Sequence, residues 1–380
     1  MTNFFKIKGL AAIGTGDVIG TATSVIFWIY LAAVIEPSEY GEIHYFLGIV
    51  GIVSALALFV TQDSIIVLIS KKLKIESTFY FISIIVGISF SIGLMIVFYR
   101  LDASLLLLGY IINTLAIGSL LGKKYYSSYG KYVILQKSLT LVLGLGFYFS
   151  FGYEGILYAL ALSYAGFLII IFKNFKRTEI NFSVLKPKMA FIFNNYLRQV
   201  TAGFGSGLDK IIIAPLLGFA LLGNYSLALV IISVMMIPSM ILYKYILPQD
   251  ARGETNKKLR INLILISIGI SGLGVIFAPT LIDMFFPKFV EVKDIIQIMS
   301  IAVVIRTVLV LYESKFLGLE KSKIVLVSAI IQVVSITVGM IVLGLTFGIV
   351  GLAYAYVIAV SLKLVFCVLT DKIFVKEGFA

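Results

Sequence analysis

The sequence predicts an all-α, polytopic membrane protein of about twelve transmembrane helices, in two six-helix lobes related by a parallel pseudo-two-fold repeat. Three observations support this prediction. The chain is 60% hydrophobic and 13% charged, with a mean hydropathy of +1.08, whereas a soluble domain is nearer half apolar and a quarter charged. Most of its apolar stretches are about 18–27 residues long, the length that crosses a hydrocarbon core of about 30 Å. Its two halves also resemble each other.

The apolar stretches predict twelve spans, and polar or charged connections separate them. The first span follows basic residues, as a signal peptide would, but it is too long for one and eleven more spans follow it. The first six spans form an N-terminal lobe (1–175), a basic segment (176–188) is a cytoplasmic linker, and the rest form a C-terminal lobe (189–380). In chain order the spans are 9–35, 43–69, 78–99, 104–122, 133–151, 155–172, 189–217, 221–247, 259–286, 295–317, 322–345 and 348–370.

Positive charge alternates between the connections. One side carries the basic segments 71–74, 123–131, 173–188, 252–260 and 315–323 and both chain ends, whereas the opposite side carries only Arg100, Lys288 and Lys293. Short loops rich in Lys and Arg stay in the cytoplasm. This predicts a multi-pass protein of the cytoplasmic membrane with both termini in the cytoplasm. The net charge of +12 lies in short turns between spans, which argues against a nucleic-acid partner.

An internal repeat joins the halves. The segment 38–42 (SEYGE) follows span one, and 220–224 (ALLGN) follows span seven, 182 positions later. Further on, 151–159 (FGYEGILYA) matches 347–355 (FGIVGLAYA) in five of nine residues at an offset of 196. Because six spans per half is an even number, both halves enter the membrane in the same sense, and a substrate site is expected between them.

Three segments carry a family resemblance. They are 30–41 (YLAAVIEPSEYG), then 208–218 (LDKIIIAPLLG) leading into 223–228 (GNYSLA), and lastly 278–285 (APTLIDMF) with 351–353 (GLA). The chain resembles a polysaccharide or oligosaccharide flippase of the multidrug/oligosaccharidyl-lipid/polysaccharide (MOP) exporter superfamily. The resemblance implies two six-helix lobes, a V-shaped cleft, alternating access and a lipid-linked sugar as substrate. Lipid II flippases of this superfamily usually have two more helices and a more cationic cleft.

Charged residues inside spans are rare and costly, so each marks a functional hypothesis. Arg306 lies near the middle of span ten, too deep to reach the interface easily. A lipid pyrophosphate is at least a dianion, and a guanidinium can hold it through two parallel hydrogen bonds. Arg306 is therefore predicted to bind substrate. The structural alternative is an ion pair between Arg306 and Glu313, which lies seven residues further on along the same helical face. If Arg306 binds substrate instead, Glu313 is predicted to be a coupling or gate residue.

Span seven contains Arg198, Asp209 and Lys210. Arg198 and Asp209 are eleven residues apart, about three turns, so they face the same way. Arg198 and Lys210 are predicted to bind substrate and Asp209 to serve coupling or gating. Two alternatives stay open: close helix packing along this stripe, and mutual neutralisation of Asp209 and Lys210.

Asp17 lies about a third of the way into span one. It is predicted to bind a coupling proton or sodium ion, or to act as a gate. Under the offset of 182 it corresponds to Gln199, next to Arg198, so Asp17 and Arg198 are expected to pair across the cytoplasmic side of the cleft. Lys363 lies nearer a cytoplasmic end and is expected to extend its ammonium to the interface.

The sequence predicts no enzyme and no cofactor other than a coupling H⁺ or Na⁺, because it contains no nucleophile–base pair, metal motif or nucleotide-binding loop. The predicted partners are a lipid-linked sugar, membrane lipids and glycan-assembly enzymes. The alternatives are an ion-coupled multidrug exporter of the same superfamily, a lipid II-type flippase, and a non-transporting scaffold for glycan assembly.

Overall fold

The computed structural model describes the backbone of residues 2–176, 178–250, 253, 256–319 and 321–376. These residues form fourteen α-helices and three short 3₁₀ helices, without a β-strand. The first eight α-helices are α1 (Thr2–Val34), α2 (Pro37–Ala57), α3 (Gln62–Ser70), α4 (Glu76–Phe98), α5 (Leu101–Gly122), α6 (Tyr126–Phe151), α7 (Gly155–Ser163) and α8 (Leu168–Phe175). The other six are α9 (Met189–Leu217), α10 (Phe219–Met235), α11 (Ile237–Asp250), α12 (Lys257–Phe285), α13 (Val292–Gly318) and α14 (Ser322–Lys376).

The described helices include ten that are long and apolar enough to cross a membrane, or eleven if the bent pair α10 and α11 counts as one span. The last of the ten, Ser322–Ile373, has 52 residues, about 80 Å of helix, which is enough for two crossings. Its backbone leaves helical geometry at Gly348 (φ 59°, ψ −136°), where the twelfth span was predicted to begin. The all-α, multi-pass fold is therefore confirmed.

The prediction of one helix over 43–69 is wrong. α2 ends at Ala57, and α3 begins after Thr61, whose hydroxyl accepts a hydrogen bond from the Ser64 amide at 3.3 Å. The side chain satisfies one of the amides that a helix start leaves unpaired. Hydropathy misses this break because the residues around it stay apolar.

Span eight, predicted as 221–247, is likewise divided. α10 and α11 meet at a bend of 50°, and Pro238 lies in the first turn of α11. Proline suits a first turn because it has no amide hydrogen to donate. The chain therefore bends beside Pro238, whereas the helix around Pro215 runs on to Leu217.

The structure contains two compact units, 1–30 with 46–207 and 31–45 with 208–380. The lobe boundaries predicted at 175 and 189 stay a prediction. In the first unit α5 packs against α3, α4, α6, α7 and α8; in the second, α13 packs against α10, α11, α12 and α14. The offset of 196 relates these two central helices, so the repeat extends to packing.

Within the second unit α2 and α10 cross at Gly41 and Gly223. A Cβ on Gly41 would collide with the carbonyl oxygen of Phe219, and a Cβ on Gly223 would collide with that of Pro37. The relation is reciprocal, and the offset of 182 links both pairs of positions. These glycines are therefore required for backbone contact at the crossing, as small residues are in other membrane helix pairs.

Candidate functional site

Arg306 is the fifteenth of the 27 residues of α13, about 20 Å from either end. Its Nη1 donates a hydrogen bond to the phenol oxygen of Tyr356 on α14 at 2.7 Å. Tyr356 is 5% exposed. Among the side chains that the structure describes, no carboxylate oxygen lies within 4.0 Å of an Arg306 nitrogen, the limit for an ion pair. The structural alternative, an ion pair between Arg306 and Glu313, is therefore not found.

Glu313 pairs instead with Lys363 of α14 at 2.7 Å. Lys363 also donates a hydrogen bond to Gln332 Oε1 at 3.1 Å, and its side chain is 11% exposed. The expectation that Lys363 reaches the interface is thus wrong. Two helical turns separate Arg306 from Glu313 by about 10 Å, whereas Lys363 meets Glu313 directly across the helix interface.

Tyr225 of α10 connects Arg306 to the other predicted residues of the second unit. It is fully buried, and Asp209, Tyr356 and Arg306 lie near enough for their charges to act on its phenol without a direct hydrogen bond to it. Its hydroxyl has no hydrogen-bond partner among the described side chains. A buried hydroxyl in that state costs free energy, and a bound ligand could satisfy it. We call Arg306, Tyr356, Tyr225, Asp209 and Lys210 the Arg306 cluster.

Asp209 and Lys210 form an ion pair with each other. Lys210 Nζ lies 3.2 and 3.4 Å from the two carboxylate oxygens, and the Lys210 amide donates to Oδ1 at 2.9 Å. Both side chains are less than a fifth exposed, and His44 of α2 lies near enough to interact with Lys210. The pair offsets its own charge, so the uncompensated charge of the cluster is that of Arg306.

In the first unit Asp17 accepts a hydrogen bond from the phenol of Tyr129 on α6 at 2.6 Å. The helices meet closely there, because a Cβ on Gly16 would touch the Cα of Gly130. Arg198 pairs with Asp63, the second residue of α3. Both of those side chains are more than half exposed. The Asp17–Arg198 pair stays a prediction.

Lys137 is a candidate that the sequence analysis missed. The predicted span began at 133 and put Lys137 near a span end, whereas α6 begins at Tyr126 and makes it the twelfth of 26 residues. Its stem packs at Gly20 of α1, and no described carboxylate lies within ion-pair distance. The rule that a charge deep in a span marks function, applied with the correct helix start, would have found it.

No group of three or more metal-ligating side chains occurs among the described residues. The Arg306 cluster offers hydrogen-bond donors and acceptors, one net positive charge and a carboxylate. This chemistry suits an anion.

No family model matches the chain, and no curated protein matches its sequence. Solved structures do match its fold. An inward-facing multidrug resistance MATE family transporter of the MOP superfamily superimposes with a TM-score of 0.74 at 15% identity, over 97% of this chain and 98% of that one. The lipid II flippase MurJ, in an inward closed conformation, gives a TM-score of 0.74 at 14% identity, over 96% of this chain and 87% of that one.

A third match is a MOP superfamily transporter from Pyrococcus furiosus, whose reverse binding-pocket polarity suggests a different function. It gives a TM-score of 0.65 at 17% identity, over 97% of this chain and 96% of that one. At these identities the likeness is one of fold. The chain shares the fold of these MOP superfamily transporters, and the finer resemblance to polysaccharide flippases stays a prediction.

Proposed function

We propose that this protein is a flippase that carries a lipid-linked oligosaccharide across the cytoplasmic membrane by alternating access, with both termini in the cytoplasm. The observation that carries the proposal is Arg306. Placing a guanidinium at mid-membrane depth costs free energy, and the hydrogen-bond partner of Arg306 is the neutral phenol of Tyr356. A structural role would be served better by a carboxylate partner. A guanidinium that keeps its net charge is instead suited to an anionic substrate.

The chemistry of a lipid pyrophosphate fits this arrangement. Arginine has five N–H donors, and the hydrogen bond to Tyr356 uses one of them. The others allow parallel hydrogen bonds to phosphate oxygens. The Tyr356 phenol orients the guanidinium, and the Tyr225 hydroxyl is a further donor for the substrate. Arg198 and Lys210 are proposed as additional substrate contacts, and Asp209 and Glu313 as coupling or gate residues.

The structural neighbours support a transporter and leave the cargo open, because one is a multidrug transporter and another a lipid II flippase. The lack of a compensating carboxylate at Arg306 among the described side chains favours an anionic cargo over a cationic drug. A lipid II-type substrate would use the same pyrophosphate chemistry and differ in the head group attached to it. The energy source is proposed to be an H⁺ or Na⁺ gradient or the downstream use of the product.

One observation favours the second candidate, an ion-coupled multidrug exporter. Asp17 lies within a span and is hydrogen-bonded to Tyr129, an arrangement suited to binding and releasing a proton or sodium ion. A drug-susceptibility panel in a pump-deficient host tests this candidate. A panel unchanged by expression of the protein would reject it.

The flippase proposal is tested with the purified chain in liposomes that contain a fluorescent lipid-linked oligosaccharide. We expect faster transbilayer movement than in protein-free liposomes. A fluorescent phosphatidylcholine in the same vesicles is the control and should move no faster. If several lipid-linked sugars all move at the protein-free rate, the proposal is wrong.

A further inference from the structure

A cavity of about 420 Å³ lies in the first unit, beside the segment that joins α8 to α9. This volume is within the range of about 300–1,000 Å³ that is typical of small-molecule sites. The walls come from the α2–α3 break, from α4 and from the start of α9. The lining side chains include Phe59, Val60, Ile82, Leu185, Ile192 and Lys186.

The joining segment is held against α4 rather than hanging free. Ser77 and Thr178 share a hydrogen bond between their hydroxyls at 2.6 Å. One turn of chain further on, the Asn181 amide donates to the hydroxyl of Thr78 at 2.8 Å. These contacts fix the 3₁₀ helices Phe182–Val184 and Lys186–Lys188 at the cavity mouth, so the cavity is a built feature of the unit.

Lys186 is the one charged side chain among the lining residues. It is exposed, and no described carboxylate lies within ion-pair distance of it. Phe182 is 54% exposed and Met189 is 42% exposed, and both also line the cavity. Apolar walls with a single unpaired cation at the mouth complement a ligand that has an apolar chain and an anionic head.

We propose that this cavity binds an anionic phospholipid of the inner leaflet, with an acyl chain between α4 and α9 and the phosphate at Lys186. The basic connections predict that the segment faces the cytoplasm, where anionic lipids attract basic segments next to the membrane. The site belongs to the first unit alone and does not involve the Arg306 cluster. The conformation of the segment between α8 and α9 would then depend on the anionic lipid content of the membrane.

Native mass spectrometry of the full chain, titrated with phosphatidylglycerol, tests the proposal without measuring transport. Lys186→Gln should weaken binding about fivefold, the effect of about one basic residue near an anionic surface, and Lys186→Arg should retain it. Ile82→Phe, which places a larger side chain at the cavity wall, should also weaken it. Phosphatidylcholine, which has no net charge, should bind more weakly and show no dependence on Lys186.

Lys188→Gln is the matched control. It removes the same charge two residues away and is not among the lining residues, so it should leave binding unchanged. Thermal unfolding in detergent must show that every variant folds. Wild-type phosphatidylglycerol binding in both folded Lys186→Gln and folded Ile82→Phe would overturn the proposal. So would displacement of phosphatidylglycerol by equimolar long-chain polyprenyl diphosphate, which would assign the cavity to the transported lipid.

Discussion

At the scale of single residues, the charged side chains within the spans differ in how they are compensated. Glu313 and Lys363 neutralise each other, as do Asp209 and Lys210. Arg306 has a hydrogen bond to a neutral phenol instead. The free energy of burying a charge is recovered by pairing or by a ligand, so a bound anion at Arg306 would stabilise the protein.

Replacing Arg306 tests this directly. Arg306→Ala should lower the flipping rate roughly 10- to 100-fold, the effect expected from losing charge-assisted hydrogen bonds worth about 1.5–3 kcal/mol. Arg306→Lys should lose less, because it keeps a point charge but not the planar fork. Tyr356→Phe, which removes only the orienting hydroxyl, should have the smallest effect. Rates are normalised to folded protein, and wild-type rates in both Arg306 variants would exclude this residue from the site.

Arg198 has an observed partner, Asp63, and a predicted one, Asp17. Its pair with Asp63 is more than half exposed on both sides, and such pairs are worth about 1 kcal/mol or less. A double-mutant cycle of Asp63→Asn and Arg198→Gln on thermal stability should therefore show a coupling below about 1 kcal/mol. A larger coupling free energy would show that the Asp63–Arg198 pair stabilises the fold.

For transport, we predict that Arg198 couples to Asp17. Removing either charge with Asp17→Asn or Arg198→Gln should slow flipping more than removing both, because a lone charge in a partly dry site is penalised. The charge swap, Asp17→Arg with Arg198→Asp, should restore part of the rate. Additive losses without rescue would contradict the pairing. A loss at Asp17 alone, with altered pH or sodium dependence, would point to ion coupling.

At the scale of helices, glycines set where two backbones meet and where a helix breaks. Gly152 and Gly348 have positive φ, 69° and 59°, and the offset of 196 relates them. A side chain in that conformation is strained, whereas glycine adopts it readily. The repeat detected in the sequence thus coincides with repeated backbone breaks. Gly348 is thus the point at which the long helix α14 breaks.

The α2–α10 crossing gives a matched pair of substitutions. Gly41→Ala should lower the free energy of unfolding by about 1–3 kcal/mol, because the new Cβ would collide with the Phe219 carbonyl oxygen and the backbone must move. Gly51→Ala, on the same helix with no atom within 4 Å of a built Cβ, should leave stability unchanged or raise it by up to about 1 kcal/mol. Unfolding midpoints in detergent measure both. Equal midpoints would show that the crossing tolerates a side chain.

At the scale of the whole molecule, the charge pattern predicts its orientation. The three cations of the predicted outer connections each lie beside a carboxylate: Arg100 with Asp102, Lys288 with Glu36 and Lys293 with Asp283. Much of the outer positive charge is therefore compensated locally. The excess on the other side is consistent with the positive-inside rule.

Cysteine labelling tests this orientation. The single native cysteine, Cys367, is buried, so background labelling should be low, and Cys367→Ala removes it. In that background Glu154→Cys should react with a membrane-impermeant maleimide on intact cells. Lys323→Cys should react only after the membrane is opened. Both original side chains are exposed, so access depends on sidedness, and the reverse pattern would invert the predicted topology.

The sequence alone determined the helical class, most of the spans, the repeat and most of the charged residues that lie deep in the spans, with Lys137 as the exception. These are properties of local composition and of spacing along the chain, and the bilayer enforces them because unpaired backbone groups are excluded from its core. The partners of those charges were decided by tertiary structure. Tyr356 lies 50 residues from Arg306 and Lys363 lies 50 residues from Glu313, and whether such side chains meet depends on how α13 and α14 are rotated and crossed. The α2–α3 break is accompanied by a local signal instead, the Thr61 hydroxyl that caps α3, which hydropathy does not detect.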